Sequence, residues 1–417
     1  MASVEAHPFR KVIIVGAGFS GLTMACQMKH RLKCDDFVVY DRESGFGGTW
    51  RVNTYPGCGV DIPAVFYSLS FAPNPDFSNF FPKQKEVLQY INRVAFRLNV
   101  SQHLVGNTEW LGASWQDDTK TWRVRLCDLS TGQNFVQTCS ILISAVGVLE
   151  NPQPFNVQGI ENFTGDIMHT ARWNHSVSLR DKNVVVIGNG ASATQVIPTI
   201  APEARSITQF IRRRVFDHDG YILSLNRDNV HLTNDPVTNL HKRSISTLSG
   251  TQYPADVIIL ANGFSLTHFN AELQGRHGRR RNDHWKDMGY IEAFNTVAMS
   301  GFPNFFYILG PNSGRGHTSA VHSIESYVNL ITRVIRPIIA GSALSVEPKL
   351  ASEKAYNERL HDALGKTVFT NSCHTWYIDS KTGRNWAIFP WTSFYMWWIT
   401  ELAGLGDWEY EVLTALC

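Results

Sequence analysis

Two glycine-rich turns and a run of arginines are the residues of this 417-residue chain whose types and spacing could do chemistry. The first turn, Gly16-Ala-Gly18-Phe-Ser-Gly21, has the spacing that cradles a diphosphate. Gly16 makes the tight turn, Gly18 lets the backbone approach phosphate oxygens, and Gly21 lets the next helix pack closely on the strand before it. Free N–H groups at the start of that helix add positive dipole. Twenty residues beyond Gly21 stands Asp41, placed to accept a hydrogen bond from a ribose hydroxyl. The second turn, Gly188-Asn-Gly190-Ala-Ser-Ala193, repeats the pattern with an accepted alanine at its third place. Downstream of it comes no acid but Arg212-Arg213-Arg214. An acid repels a 2′-phosphate, whereas guanidinium groups hold it with charge-assisted, often bidentate hydrogen bonds. The first turn therefore suits a ribose with free hydroxyls, and the second suits NADPH.

Elements of the right kind must position these groups. Short β-branched runs, Arg10-Lys-Val-Ile-Ile-Val15 and Asn183-Val-Val-Val-Ile187, lead into the two turns and read as buried parallel strands. Helix-compatible stretches follow at 22–33 and 191–200, and second strands at 37–40 and 206–211. Two more apolar strands, 141–147 and 257–264, end in a small-x-Gly turn of the kind that passes close to a nucleotide. They bracket the second unit. The fold class is thus α/β, with two Rossmann-like dinucleotide-binding domains and the NADP domain inserted in a discontinuous FAD domain. The expected boundaries are 1–150 and 246–417 for the two parts of the FAD domain and 151–245 for the NADPH domain. FAD is the most economical second redox cofactor for a chain that takes electrons from NADPH.

Composition narrows the class. With 43% hydrophobic and 18% charged residues the chain can fill buried cores. Lys+Arg 38 against Asp+Glu 36 excludes nucleic-acid binding by bulk electrostatics. No apolar run approaches the roughly 18 residues of a membrane span. Seven cysteines without CxxC spacing predict neither a disulfide framework nor a zinc site. His218, His231, His277 and His284 lack ligand spacing, so no metal is expected. The polar first ten residues lack a signal peptide's apolar stretch. A cytoplasmic protein with no membrane, nucleic-acid or protein partner is the expectation. The basic cluster 276–281 reads as a solvated loop.

Phe163-Thr-Gly165-Asp-Ile-Met-His169-Thr-Ala-Arg-Trp173-Asn174 resembles the FxGxxxHxxxW fingerprint of class B flavoprotein monooxygenases, of the Baeyer–Villiger type. Trp173 favours that branch over the N-oxygenating one, which usually has Phe or Tyr there. Asn174 departs from the usual Pro or Asp. Gly47-Gly-Thr49-Trp50 and Tyr55-Pro-Gly-Cys-Gly-Val-Asp61 resemble the family's flavin-contact segments, and residues 301–312 its segment toward the isoalloxazine. The resemblance spans residues 12 to about 398, and 226–230 and 253–257 look closest to fungal members serving secondary metabolism.

The resemblance implies an activity: NADPH reduces FAD, O₂ is activated on the flavin, and one oxygen atom enters beside a ketone carbonyl. The product is an ester or lactone. Oxygenation of an amine or sulfide shares both cofactor motifs and stays open, as does a cofactor-binding chain without turnover. By the same resemblance Arg212 and Arg213 hold the NADPH phosphate, Arg214 is the active-site cation and Asp61 its acid partner. His169 supports the interdomain linker. One departure is large: the family has a long, mostly helical insert near 212–213, and here the three arginines are neighbours. Consecutive side chains of an extended strand point to opposite faces, so all three reach one site only if the chain turns among them. The insert normally walls the substrate pocket, so flavin reduction is expected to survive better than oxygenation.

Overall fold

The computed structural model describes residues 5–211, 220–265, 269–315, 319–369, 377–378 and 382–412. Apolar runs without a polar face need cover on both sides, and they lie at sheet centres. β1 (Glu5–Val15), β2 (Phe37–Tyr40), β3 (Leu104–Val105), β4 (Thr108–Gln116), β5 (Thr121–Asp128) and β6 (Asn134–Ser144) form most of the first sheet. Its order is β15-β4-β5-β6-β1-β2-β3, where β15 is Glu272–Gln274, and β16 (Phe305–Tyr307) pairs with β6. β6, β1, β2 and β3 run parallel, while β4, β5 and β6 form an antiparallel meander. Val12, Ile13 and Ile14 of β1 have no exposed surface. Burial of each such side chain contributes about 1.5–3 kcal/mol.

The second sheet is parallel throughout, in the order β10-β9-β8-β14-β7. Its strands are β7 (Asp166–His169), β8 (Asn183–Ile187), β9 (Ser206–Phe210), β10 (Val230–Thr233) and β14 (Val257–Leu260). A small antiparallel sheet of β11 (Val237–His241), β12 (Ser244–Thr247) and β13 (Gln252–Pro254) precedes β14. The chain thus leaves the first sheet after β6, builds the second, and returns at β15. The expected return at 246 falls too early, because β14 pairs with both β7 and β8 inside the second unit. An apolar strand ending in small-x-Gly looks the same in either sheet, and only pairing assigns it.

One face of both sheets packs against helices: α1 (Phe19–His30), α2 (Thr49–Val52), α3 (Gln84–Arg97), α4 (Ala191–Ile200), α5 (Tyr221–Ser224) and α7 (Ala320–Ile339). The other face of the first sheet packs with β4, β5 and α6 (Arg281–Met288), and that of the second with the small antiparallel sheet. The basic cluster is solvated only in its middle, 277–280, and not at its ends. Arg276 is half-buried, bonding Glu347 at 2.6 Å and Asp117 at 3.2 Å, and Arg281 is buried with its guanidinium 4.7 Å from the Trp285 ring. Asp117 and Glu347, brought from distant segments, neutralise the charge of Arg276, and the Trp285 ring covers that of Arg281. His284 is also fully buried, its Nε2 3.1 Å from Glu353.

Candidate functional site

The two glycine turns are built alike. Gly16 has φ +109° and Gly188 φ +121°, backbone that an L side chain rarely adopts. A Cβ on Gly16 would sit 2.5 Å from the carbonyl oxygen of Ala145, and one on Gly188 would strike that of Ala261. These alanines directly follow β6 and β14, so the small-x-Gly turns after those strands press on the glycine turns themselves. Gly16 N donates to Tyr40 O at 2.7 Å and Gly188 N to Phe210 O at 3.0 Å. A Cβ on Gly21 would overlap the carbonyl oxygen of Gly16, which explains the close helix–strand packing there. Ala193 stands at the same place in the second turn, fully buried and carrying its Cβ.

Both turns open on one cavity of about 1040 Å³. Gly16, Gly18, Asp41, Thr49, Trp50 and Asp61 line it from the first unit, and Gly190, Ser192 and Gln195 from the second. Gly21, Gly188 and Ala193 lie behind the lining. A Cβ on Gly18 would meet only Gly48 Cα, at 3.6 Å, so its bare backbone leaves room on the cavity side. Trp50 is buried, with Nε1 donating to Tyr67 Oη at 3.1 Å, while Asp61 is exposed at the cavity edge. Arg212, Arg213 and Arg214 lie outside the described residues.

Asp41 is already engaged. Its carboxylate accepts Ala17 N–H at 2.5 Å and Glu43 N–H at 2.7 Å. Burial pushes its carboxyl up to about 6, although both N–H groups favour the ionised form. The corresponding place after β9 is Ile211, because Val15 pairs with Tyr40 and Ile187 with Phe210. His169 accepts Ala171 N–H on Nδ1 at 3.0 Å, which puts its proton on Nε2, 3.0 Å from Gly263 O. Burial holds its pKa below the usual value, so it is a neutral brace between β7 and the loop after β14. Asn174 Oδ1 accepts Ser176 N–H at 3.0 Å, a turn that the family's usual Asp can also make.

Two buried glutamines escaped the reading of the sequence. Gln195 on α4 reaches across to Tyr55 and Gly59, and Gln84 at the start of α3 donates to Trp50 O. The available signal was a polar residue beside Val196 and Ile197, in a helix whose neighbours are core. Among the described residues no helix is long and apolar enough to cross a membrane, and no group of three or more His, Cys, Asp or Glu could hold a metal.

The profile of NAD(P)-binding Rossmann-like domains matches residues 14–83. The chain is 27% identical to a Baeyer–Villiger monooxygenase of Streptomyces coelicolor, over 98% of this chain and 94% of that protein. It is 26% identical to the FAD-binding monooxygenase tazF of Aspergillus terreus, over 90% of this chain and 84% of the relative. Among solved structures, oxidized steroid monooxygenase bound to NADP superposes with a TM-score of 0.87 at 23% identity, over 97% of this chain and all of that one. The fold, with its paired dinucleotide units, is that of the class B flavoprotein monooxygenases. By sequence the chain is a homologue of the Baeyer–Villiger monooxygenases. The alignment with the Streptomyces protein runs over 498 positions against 417 residues here, so at least 81 of them have no residue in this chain.

Proposed function

We propose that this chain is an FAD- and NADPH-dependent monooxygenase that inserts one oxygen atom of O₂ beside the carbonyl of a small-molecule ketone, giving an ester or lactone. One observation carries the reading: two glycine turns, one followed by an acid and the other by arginines, open on the same cavity. Its volume, about 1040 Å³, lies at the upper end of small-molecule sites, which suits more than one ligand. The first turn fits FAD, since bare glycines at Gly18 and Gly48 form a cradle that a Cβ on Gly48 would fill, 2.7 Å from Gly18 Cα. Gly16, Gly18, Gly21 and Asp41 would hold its diphosphate and ribose, with Thr49, Trp50 and Asp61 toward its other end. Gly188, Gly190, Ala193, Arg212 and Arg213 would hold NADPH.

When bound, the flavin supplies hydride acceptance and the activation of O₂. The chain's own residues bind, orient and exclude water. Trp50, Tyr55 and Cys58 are buried along the cavity, and burial pushes the Cys58 thiol up to about 11, which keeps it neutral. Arg214 would hold fixed positive charge against the negative charge that develops on oxygen at the ketone carbon. Asp61 would orient that guanidinium. The resemblance of 226–230 and 253–257 to fungal members supports a place in secondary metabolism. The near-balanced charge supports a cytoplasmic enzyme without a nucleic-acid, membrane or protein partner.

A second reading, cofactor binding without turnover of a substrate, draws on the 81 or more aligned positions that the Streptomyces relative has and this chain lacks. Incubation of the purified protein with NADPH and a panel of ketones, amines and sulfides separates the readings, with mass spectrometry of products and a hydrogen peroxide assay. We expect a yellow protein that oxidises NADPH and converts a ketone to a product one oxygen atom heavier. Peroxide without product supports the second reading. Product from amines or sulfides alone, or a colourless protein, overturns the first.

A further inference from the structure

One buried side chain of the second unit reaches deep into the first. Gln195 lies in the second turn of α4, just behind the glycine turn at Gly188, and only 3% of its surface is exposed. Its Oε1 accepts from Tyr55 Oη at 2.7 Å and from Gly59 N at 3.4 Å, and its Nε2 donates to Gly59 O at 2.9 Å. The amide therefore pairs with both polar atoms of one residue, as a strand neighbour would. Its orientation is settled by its partners: the reverse placement would set an NH₂ against the Gly59 N–H. Burial raises the Tyr55 pKa, so the phenol stays protonated and is the donor. Gly57, with φ +84°, has no Cβ, and that lets residues 55–59 lie directly on the Gln195 carbonyl and the Thr199 hydroxyl of α4.

The contact continues into the first unit. Gln84 N donates to Cys58 O at 2.9 Å, and the Gln84 side chain donates to Trp50 O. Trp50, Tyr55 and Cys58 all line the shared cavity. A helix that begins at the second nucleotide turn is thus hydrogen-bonded, in two steps, to the segments at the opposite end of the first unit's site. A shift of α4 by about 1 Å breaks the 2.7–2.9 Å bonds of Gln195. Tyr55 Oη and both polar backbone atoms of Gly59 then lose their mates.

We infer that Gln195 is a positioning residue that couples occupancy of the second nucleotide turn to the placement of residues 50–59 in the first unit's site. This rests on the assignment of FAD to the first unit and NADPH to the second. Coupling is reciprocal, so each cofactor changes the affinity of the other by one common factor.

The test measures that factor by titrating NADP⁺ into FAD-free and FAD-loaded protein, for the wild type, Gln195→Leu and Tyr55→Phe. The wild type should show a difference of about fivefold or more. Gln195→Leu should bring it close to one, and Tyr55→Phe should lower it from the other side of the contact. A merely structural role would weaken both cofactors and leave the factor unchanged. A factor of one in the wild type, or one that neither variant alters, overturns the inference while the cofactor assignment stands. Wild-type protein that binds neither cofactor overturns both. If Gln195→Leu does not fold, Tyr55→Phe carries the test alone.

Discussion

The two dinucleotide units share a plan and differ at a few atoms. Strands β6, β1, β2 and β3 of the first correspond in order to β14, β8, β9 and β10 of the second. Ala145 N donates to Val15 O at 2.7 Å and Ala261 N to Ile187 O at 2.8 Å. Leu22 N bonds Gly18 O at 2.9 Å and Thr194 N bonds Gly190 O at 3.1 Å. Against this common frame, Asp41 becomes Ile211 and Gly21 becomes Ala193. A single acceptor that is present or absent, and a single Cβ, separate two sites whose backbones are interchangeable. Nucleotide choice in this fold is thus set at the rim, while the frame only presents a phosphate to a helix N-terminus.

The sharpest way to break the likeness is to give the first unit the second unit's alanine. Gly21→Ala puts a Cβ on the Gly16 carbonyl oxygen, and backbone cannot yield as a side chain can. It should cost about 3 kcal/mol, at the top of the range for overpacking. The reverse change, Ala193→Gly, should cost about 1 kcal/mol from helix propensity alone. Urea midpoints of the two variants measure the asymmetry, and equal losses would show that the two helices pack alike.

Next in size is Gly18→Val. Its Cβ meets nothing closer than 3.6 Å in the chain, so the fold should hold while the added methyls occupy the cavity. Flavin affinity should fall by about a hundredfold or more, the equivalent of two lost charge-assisted contacts. Retention of flavin at full stoichiometry would remove the first turn from the FAD site.

The arginines that follow β9 in the sequence predict a smaller effect. Replacement of Arg212 and Arg213 by Ala should erase a preference for NADPH over NADH of roughly tenfold, from loss of a phosphate contact. Flavin reduction rates at sub-saturating donor report it. An unchanged ratio would leave 2′-phosphate recognition to other residues.

The smallest effect comes from Asp41. Its carboxyl, at about 6, accepts most strongly from a ribose hydroxyl when ionised. As pH falls through 6 the protonated form grows, so flavin affinity should weaken by at most about tenfold per unit. Above pH 7 it should be flat. Asp41→Asn should bind more weakly at pH 8 and lose this dependence, as titrations between pH 5 and 8 would show.

Much of this site is a local matter, and local matters are legible in sequence. Gly16, Gly18 and Asp41 belong to a strand–turn–helix–strand unit whose parts are neighbours in the chain, so spacing alone aligns them. The Gly188 turn and its alanine follow the same rule. The boundary at 246 misled because an apolar strand such as Val257–Leu260 carries no mark of the sheet it joins. Likewise Arg276 looked solvated, since its partners Asp117 and Glu347 lie far away in sequence.

The sequence by itself determined the class of fold, the two glycine turns and the contrast between the residues that follow them. These depend on backbone conformation and on charge within some 30 residues. Tertiary structure alone decided that both turns face one cavity, that β14 belongs to the second sheet, and that Gln195 fastens one unit to the other. Each of these needs groups more than 70 residues apart to arrive within hydrogen-bond or ladder distance, Gln195 and Tyr55 being 140 apart. No local period or spacing records such a meeting, because the pairing energy exists only once both sheets have formed.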